Sequence, residues 1–157
     1  MESREFYLSH LTKVQQEIQR AALRSGRDPK DITLLPVTKT QPIEVLECAW
    51  DLGVRVAGEN HVQEIVEKKA HFQDRMRFHM IGHLQRNKVR QVLDKVELIH
   101  SVDSLRLLQE IERIAGEMGI VSRILIEINV AEEESKYGIR VSELPEMLRQ
   151  AAQMEHI

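Results

Sequence analysis

Ile32-Thr33-Leu34-Leu35-Pro36-Val37-Thr38-Lys39-Thr40 is a short apolar run that closes on a lysine. Ile32, Leu34, Leu35 and Val37 fit a strand buried on both faces, as strands of a parallel sheet are. Lys39 falls where that strand should emerge. A lysine there costs desolvation free energy unless it is paired, exposed or chemically used. Desolvation makes the neutral amine available, which is what a Schiff-base lysine needs. The other reading is a strand-end lysine with a buried stem and its ammonium in water. By itself the run favours this second reading, and the rest of the chain reverses the preference.

Outward from this run the same pattern recurs. Further apolar strands are expected at 54–57, 77–81, 96–99 and 122–129. Helical periodicity fills 42–52, 61–70, 87–93 and 105–118, and Ser142 is placed to cap a last helix running to about Gln153. An amphipathic helix precedes everything, with Phe6, Leu11, Val14, Ile18 and Ala21 on one face and an end near Gly26. Asp28-Pro29-Lys30-Asp31 reads as the turn into the first strand. Strand starts therefore fall roughly every 19 to 26 residues, which is unbroken strand–helix alternation. The fold class is α/β, a parallel sheet of about five strands with right-handed crossovers in one domain over residues 1–157. Five strands suit an open doubly wound sheet or part of a (β/α)₈ barrel, and length alone favours the open sheet.

With 157 residues the chain can bury a real core. A formal net charge of −3 and only 4% aromatic residues argue against nucleic-acid or anionic-membrane partners. The single cysteine, Cys48, excludes an intrachain disulfide and suits a reducing compartment. The polar Met1-Glu2-Ser3-Arg4-Glu5 is not a signal peptide, and no stretch is apolar enough to span a membrane, so the cytoplasm is the expected location.

In either architecture chemistry collects at the C-terminal ends of the strands. There the sequence puts Lys39, then Glu59-Asn60-His61, Gly82-His83-Leu84-Gln85, Ser101-Val102-Asp103 and Asn129, with Lys136-Tyr137-Gly138 in the loop beyond. Polar groups at five successive strand ends should converge on one pocket. Ser101, Asp103 and Asn60 also have helix-capping chemistry, and for Ser101 and Asp103 both readings stand at this point. His79 and His83 lack a third ligand at metal spacing, so no metal site is assigned. Arg86, Lys88 and Arg90 read as a solvated face, Cys48 as a small core residue, and Glu132-Glu133-Glu134 as an exposed loop. Dinucleotide, Walker and nucleophile-elbow glycine motifs are absent.

Five segments in register resemble the pyridoxal phosphate homeostasis family, single-domain relatives of the alanine racemase barrel. They are 35–39 (Leu-Pro-Val-Thr-Lys), 58–64 (Gly-Glu-Asn-His-Val-Gln-Glu), 79–88 (His-Met-Ile-Gly-His-Leu-Gln-Arg-Asn-Lys), 100–104 (His-Ser-Val-Asp-Ser) and 128–138, from Ile-Asn-Val to Glu-Ser-Lys-Tyr-Gly. The resemblance implies a partial TIM-type (β/α) barrel whose cofactor is pyridoxal 5′-phosphate (PLP). It implies that Lys39 holds PLP as a Schiff base, that Asn60 lines the cofactor ring, and that His83, Ser101 and Asn129 are strand-end pocket residues. It implies vitamin B6 homeostasis and not catalysis. A PLP-dependent racemase or lyase, or a remnant that no longer binds PLP well, are the alternatives. His61 stands where the family commonly has tyrosine. Family members continue through three more strands that carry the phosphate-holding loops and an arginine facing the pyridine nitrogen. This sequence reaches Ile157 where the sixth strand is expected. Weak or imine-only PLP binding follows as an expectation, as do sheet edges that invite self-association or a partner chain.

Overall fold

The computed structural model describes residues 2–157. An N-terminal helix, α1 (Arg4–Arg24), is capped by the Ser3 hydroxyl, which accepts from the Phe6 N–H at 3.2 Å. Then come α2 (Ile43–Asp51), β1 (Val56–Glu59), α3 (Val62–Phe72), β2 (Arg77–Met80), α4 (Val89–Val92), β3 (Leu98–Val102), α5 (Leu105–Met118), β4 (Ile124–Ile126) and α6 (Leu144–Ala151). The four strands form one parallel sheet in the order β1-β2-β3-β4. Sequential parallel neighbours joined by helices are one arc of a (β/α) barrel.

The expected first strand is the main correction. Residues 32–38 form no strand, only a single parallel bridge from Val37 to Gly58. Gly58 N–H donates to Pro36 O at 2.8 Å and Thr38 N–H to Gly58 O at 3.0 Å. Pro36 has no N–H to extend the ladder. Leu34, Leu35 and Pro36 are half-buried and Val37 is 54% exposed, so this run is not covered on both faces. The other strands sit close to expectation. Two are displaced by about two residues toward the C-terminus, and β4 is shorter than the apolar run that suggested it. Ser142 caps nothing. It lies in a 3₁₀ turn (Val141–Glu143), and the Glu143 carboxylate instead accepts the Arg140 N–H at 2.9 Å. Pro42 is the cap of α2, one residue outside the helix.

The core lies between the sheet and its helices. Phe78 and Met80 point into it from β2 and meet Phe72, Ile65 and Leu84, while Leu107, Leu108 and Ile111 close it from α5. The period of two sends Arg77 and His79 to the opposite, inner face. Cys48, expected as a small core residue, is only half-buried and is not part of this core. Among the described residues no helix is long and apolar enough to cross a membrane.

Candidate functional site

The strand ends on one side of the sheet carry the site, and three local devices shape it. The first is the close approach of Gly82 to Asn60. A Cβ at Gly82 would sit 2.4 Å from the Asn60 carbonyl oxygen and 2.7 Å from its Cα, so only glycine lets the two strand ends touch. The second is Ser101, buried at the end of β3, whose hydroxyl donates to the Gly82 carbonyl at 2.6 Å. Ser101 thus braces the next strand end and caps no helix; the cap of α5 is Ser104, which accepts the Leu107 N–H at 3.3 Å. The third is the loop after β4. Gly138, at φ +109°, packs against the backbone of Ile128 and Asn129, where a Cβ would come within 2.6 Å of the Asn129 nitrogen. The Asn129 carboxamide donates to Glu133 O at 2.8 Å and accepts Glu133 N–H at 3.2 Å, which closes residues 130–137 into a folded loop.

That loop delivers Tyr137 onto His83. The two rings stack 4.0 Å apart at 13°. His83 Nδ1 donates to the Asp103 carboxylate at 2.8 Å, which fixes the ring and leaves Nε2 free. Asp103 therefore orients a histidine; the capping alternative is not what it does. Glu127 stands in the same field. Burial pushes its carboxyl above the usual range, the neighbouring Asp103 charge adds to this, and His83 opposes it. Asn60, His83, Gln63, Gln85 and Lys88 line a cleft of about 240 Å³. An apolar groove of about 320 Å³ between α1 and residues 34–36 and 49–54 lies apart from these groups.

Lys39 is exposed, and its ammonium has no hydrogen bond or ion pair among the described residues. The desolvation expected of a buried strand-end lysine is absent. Continuing the Val37–Gly58 register brings Lys39 level with Asn60, although Lys39 does not line the cleft that Asn60 and His83 share. The backbone on either side of Lys39 is held by groups to which the sequence reading gave no such role. The Thr38 hydroxyl donates to Glu59 Oε1 at 2.5 Å, and Lys68 Nζ donates to the Thr38 carbonyl at 2.9 Å. Lys68 also pairs with Glu59 at 2.6 Å and Glu64 at 3.0 Å. Glu64 accepts the Thr40 N–H at 2.8 Å. Burial raises the Glu64 carboxyl, and the bonds from Lys68 and Thr40 outweigh it, so the net direction is downward. Lys68 could have been noticed. It sits between Ile65 and Phe72 on the apolar face of α3, four residues after Glu64.

His79 and His83 occupy separate environments. His79 Nδ1 lies 2.9 Å from His100 Nε2 on the inner sheet face, above Glu97, which pairs with Arg77 and Arg123. Among the described residues no three metal-ligating groups converge.

Residues 10–157 match the family model for the alanine racemase N-terminal domain. The chain is 39% identical over 153 residues to the pyridoxal phosphate homeostasis protein of Escherichia coli K12, covering 94% of this chain and 65% of that one. It thus spans about two thirds of the length of that curated relative. A crystal structure of an unknown protein from Bifidobacterium adolescentis superposes with a TM-score of 0.87 at 31% identity, over 98% of this chain and 67% of that one. PipY of Synechococcus elongatus with PLP bound superposes with a TM-score of 0.73 at 33% identity, over 88% of this chain and 64% of that one. A parallel β/α arc with its polar groups gathered at the strand ends agrees with these likenesses, and the chain belongs to the alanine racemase N-terminal domain family.

Proposed function

We propose that the chain binds PLP through Lys39 and serves intracellular PLP homeostasis, in the cytoplasm, without turning over an amino acid. The observation that carries the reading is the placement of Lys39: the Val37–Gly58 register brings it level with Asn60 at the strand ends, with both neighbouring residues hydrogen-bonded to buried or half-buried side chains. The similar PipY structure holds PLP, and the E. coli relative is named for PLP homeostasis.

The residues present fit such a group. When bound, the cofactor supplies an aldehyde carbon open to attack by an amine. Lys39 forms the bond to that carbon through its nitrogen, and the carbonyl oxygen leaves as water. Asn60, one residue beyond the end of β1, offers an amide that makes no side-chain hydrogen bond among the described residues. His83 offers Nε2, with its ring held by Asp103 and Tyr137. Ser101 and Asn129 act at one remove, the first by bracing Gly82 and the second by folding the loop that carries Tyr137.

The His83–Asp103 pair favours a second reading. A histidine oriented by a carboxylate can move a proton, as a racemase or lyase requires. Incubation with PLP and L-alanine separates the two: appearance of D-alanine or of a deaminated product would select the enzyme. The binding role is tested by borohydride reduction of the PLP mixture followed by peptide mass mapping. The expected result is a reduced adduct on Lys39 at low PLP, absent from Lys39→Ala. Adducts scattered over surface lysines, unchanged by that substitution, would contradict it.

A further inference from the structure

We infer that Glu64 and Lys68, with Glu59 behind them, are positioning residues for Lys39: they clamp the backbone on both sides of it and leave its side chain free. The inference rests on the PLP-binding reading above. Lys39 has few fixed points of its own. It is exposed, its ammonium has no partner, and the strand expected to carry it is reduced to one bridge. A long side chain on such a segment would sweep a wide volume, and a nucleophile gains most when its reacting atom is held near the attack geometry.

The structure supplies the missing rigidity from the neighbouring β/α unit. On the N-terminal side, the Thr38 hydroxyl is tied to Glu59 and the Thr38 carbonyl to Lys68. On the C-terminal side, the Thr40 N–H is tied to Glu64. The three side chains are one unit, since Lys68 bridges both carboxylates. Glu59 is fully buried and Lys68 is 4% exposed, so this is not a solvated surface pair. Glu59 Oε2 also has no hydrogen-bond partner among the described residues. An ion pair with an unsatisfied oxygen in a core is poor value as stability alone, and an apolar replacement often serves a fold as well.

The backbone conformation points the same way. Thr40 sits at φ +60°, a region costly for a β-branched residue. Such strain persists where the surroundings over-determine it, and it clusters at functional sites. Here the Glu64 carboxylate takes the Thr40 N–H that this conformation presents. The turn is closed behind by Gln41 N–H donating to Thr38 O at 3.1 Å, the same carbonyl that Lys68 holds.

The test compares wild type, Glu64→Ala, Glu64→Gln and Thr40→Gly in the full chain. Glu64 is half-buried in the first turn of α3, where alanine is tolerated, and glycine relieves the Thr40 backbone, so the variants should fold. Two rates are read at Lys39 by peptide mass mapping: borohydride-trapped PLP adduct, and acetylation by acetic anhydride, which needs only an exposed amine. Glu64→Ala and Thr40→Gly should slow the PLP adduct on the order of tenfold or more and leave acetylation within about twofold. Glu64→Gln, which retains an acceptor for the Thr40 N–H, should recover most of the PLP rate. Variants that match wild type with PLP, or that lose both reactions in parallel, would overturn the clamp while the PLP reading stands. A wild-type chain with no selective Lys39 adduct would overturn that reading and the clamp with it.

Discussion

His79 and His100 meet ring to ring on the inner sheet face, Nδ1 to Nε2 at 2.9 Å. One ring donates and the other accepts, so the contact tolerates at most one additional proton. Burial holds both below the usual histidine value of 6.5. For His79 the facing His100 charge adds to this, Glu97 opposes it, and Arg77 and Arg123 reinforce it. A histidine whose folded value is depressed takes up its proton more readily when unfolded. Its contribution to stability is therefore complete above about pH 6.5 and is lost as the pH falls from there toward the folded values. Melting temperature should drop between about pH 7 and about pH 5, and His100→Asn should flatten that drop. An identical slope in the variant would remove the pair from the account. At this scale the sequence offered candidates without their partners. Lys39, Asn60, His83, Ser101 and Asn129 were named from strand ends and resemblance; the structure puts Asn60 and His83 on one cleft, leaves Lys39 outside it, and ties the Ser101 and Asn129 side chains to backbone carbonyls. That Asp103 orients His83, that Ser101 bonds Gly82, and that Lys68 enters the core beside Glu59 depend on neighbours from other elements 9 to 20 residues apart, which spacing along one segment does not reveal.

The elements were legible wherever one face is dry. α5 is read to the residue because its apolar stripe, Ser104 cap and left-handed Gly119 agree with each other. The first expected strand was misread for a physical reason. Apolar content alone suggested burial on two faces, yet Pro36 withholds a donor, and only β1 lies beside the run, through the single bridge. β4 was over-extended because Ile128 is apolar and half-buried but bridges Ile139 and not a strand. The tightest element contact is between the ends of β1 and β2, and it rests on a missing Cβ. Gly82→Ala forces that carbon into the Asn60 backbone. The strands must part, at a cost of about 1–3 kcal/mol, and the cleft between Asn60 and His83 widens. Chemical denaturation should show the loss, and PLP affinity should fall further than in a surface control such as Gln91→Ala. A variant of unchanged stability would mean that the strand ends are not in contact.

At the scale of the whole sheet, the strands from Val56 to Ile126 form an arc. β1 to β4 are parallel and sequential, and the flanks beyond them are only partly covered: Val37 bridges one side by a single pair, and beyond β4 the ladder continues only as the Ile128–Ile139 bridge. Val37, Leu125 and Val130 are 54%, 48% and 76% exposed. Unpaired strand edges with apolar side chains favour association with another strand. For a polypeptide of these 157 residues, we expect light scattering to show concentration-dependent oligomers in the micromolar range, weakened by Leu125→Lys; a single monomeric species at all concentrations would contradict this. The central claim is narrower and concerns one nitrogen: Lys39 is held by its neighbours and kept free for an aldehyde. The most direct measurement is a PLP absorbance titration of the wild-type chain beside Lys39→Ala. The account predicts a saturable band of a protonated lysine–PLP linkage in the wild type that borohydride abolishes, and none in the variant. The same band in both chains, or in neither, would contradict it.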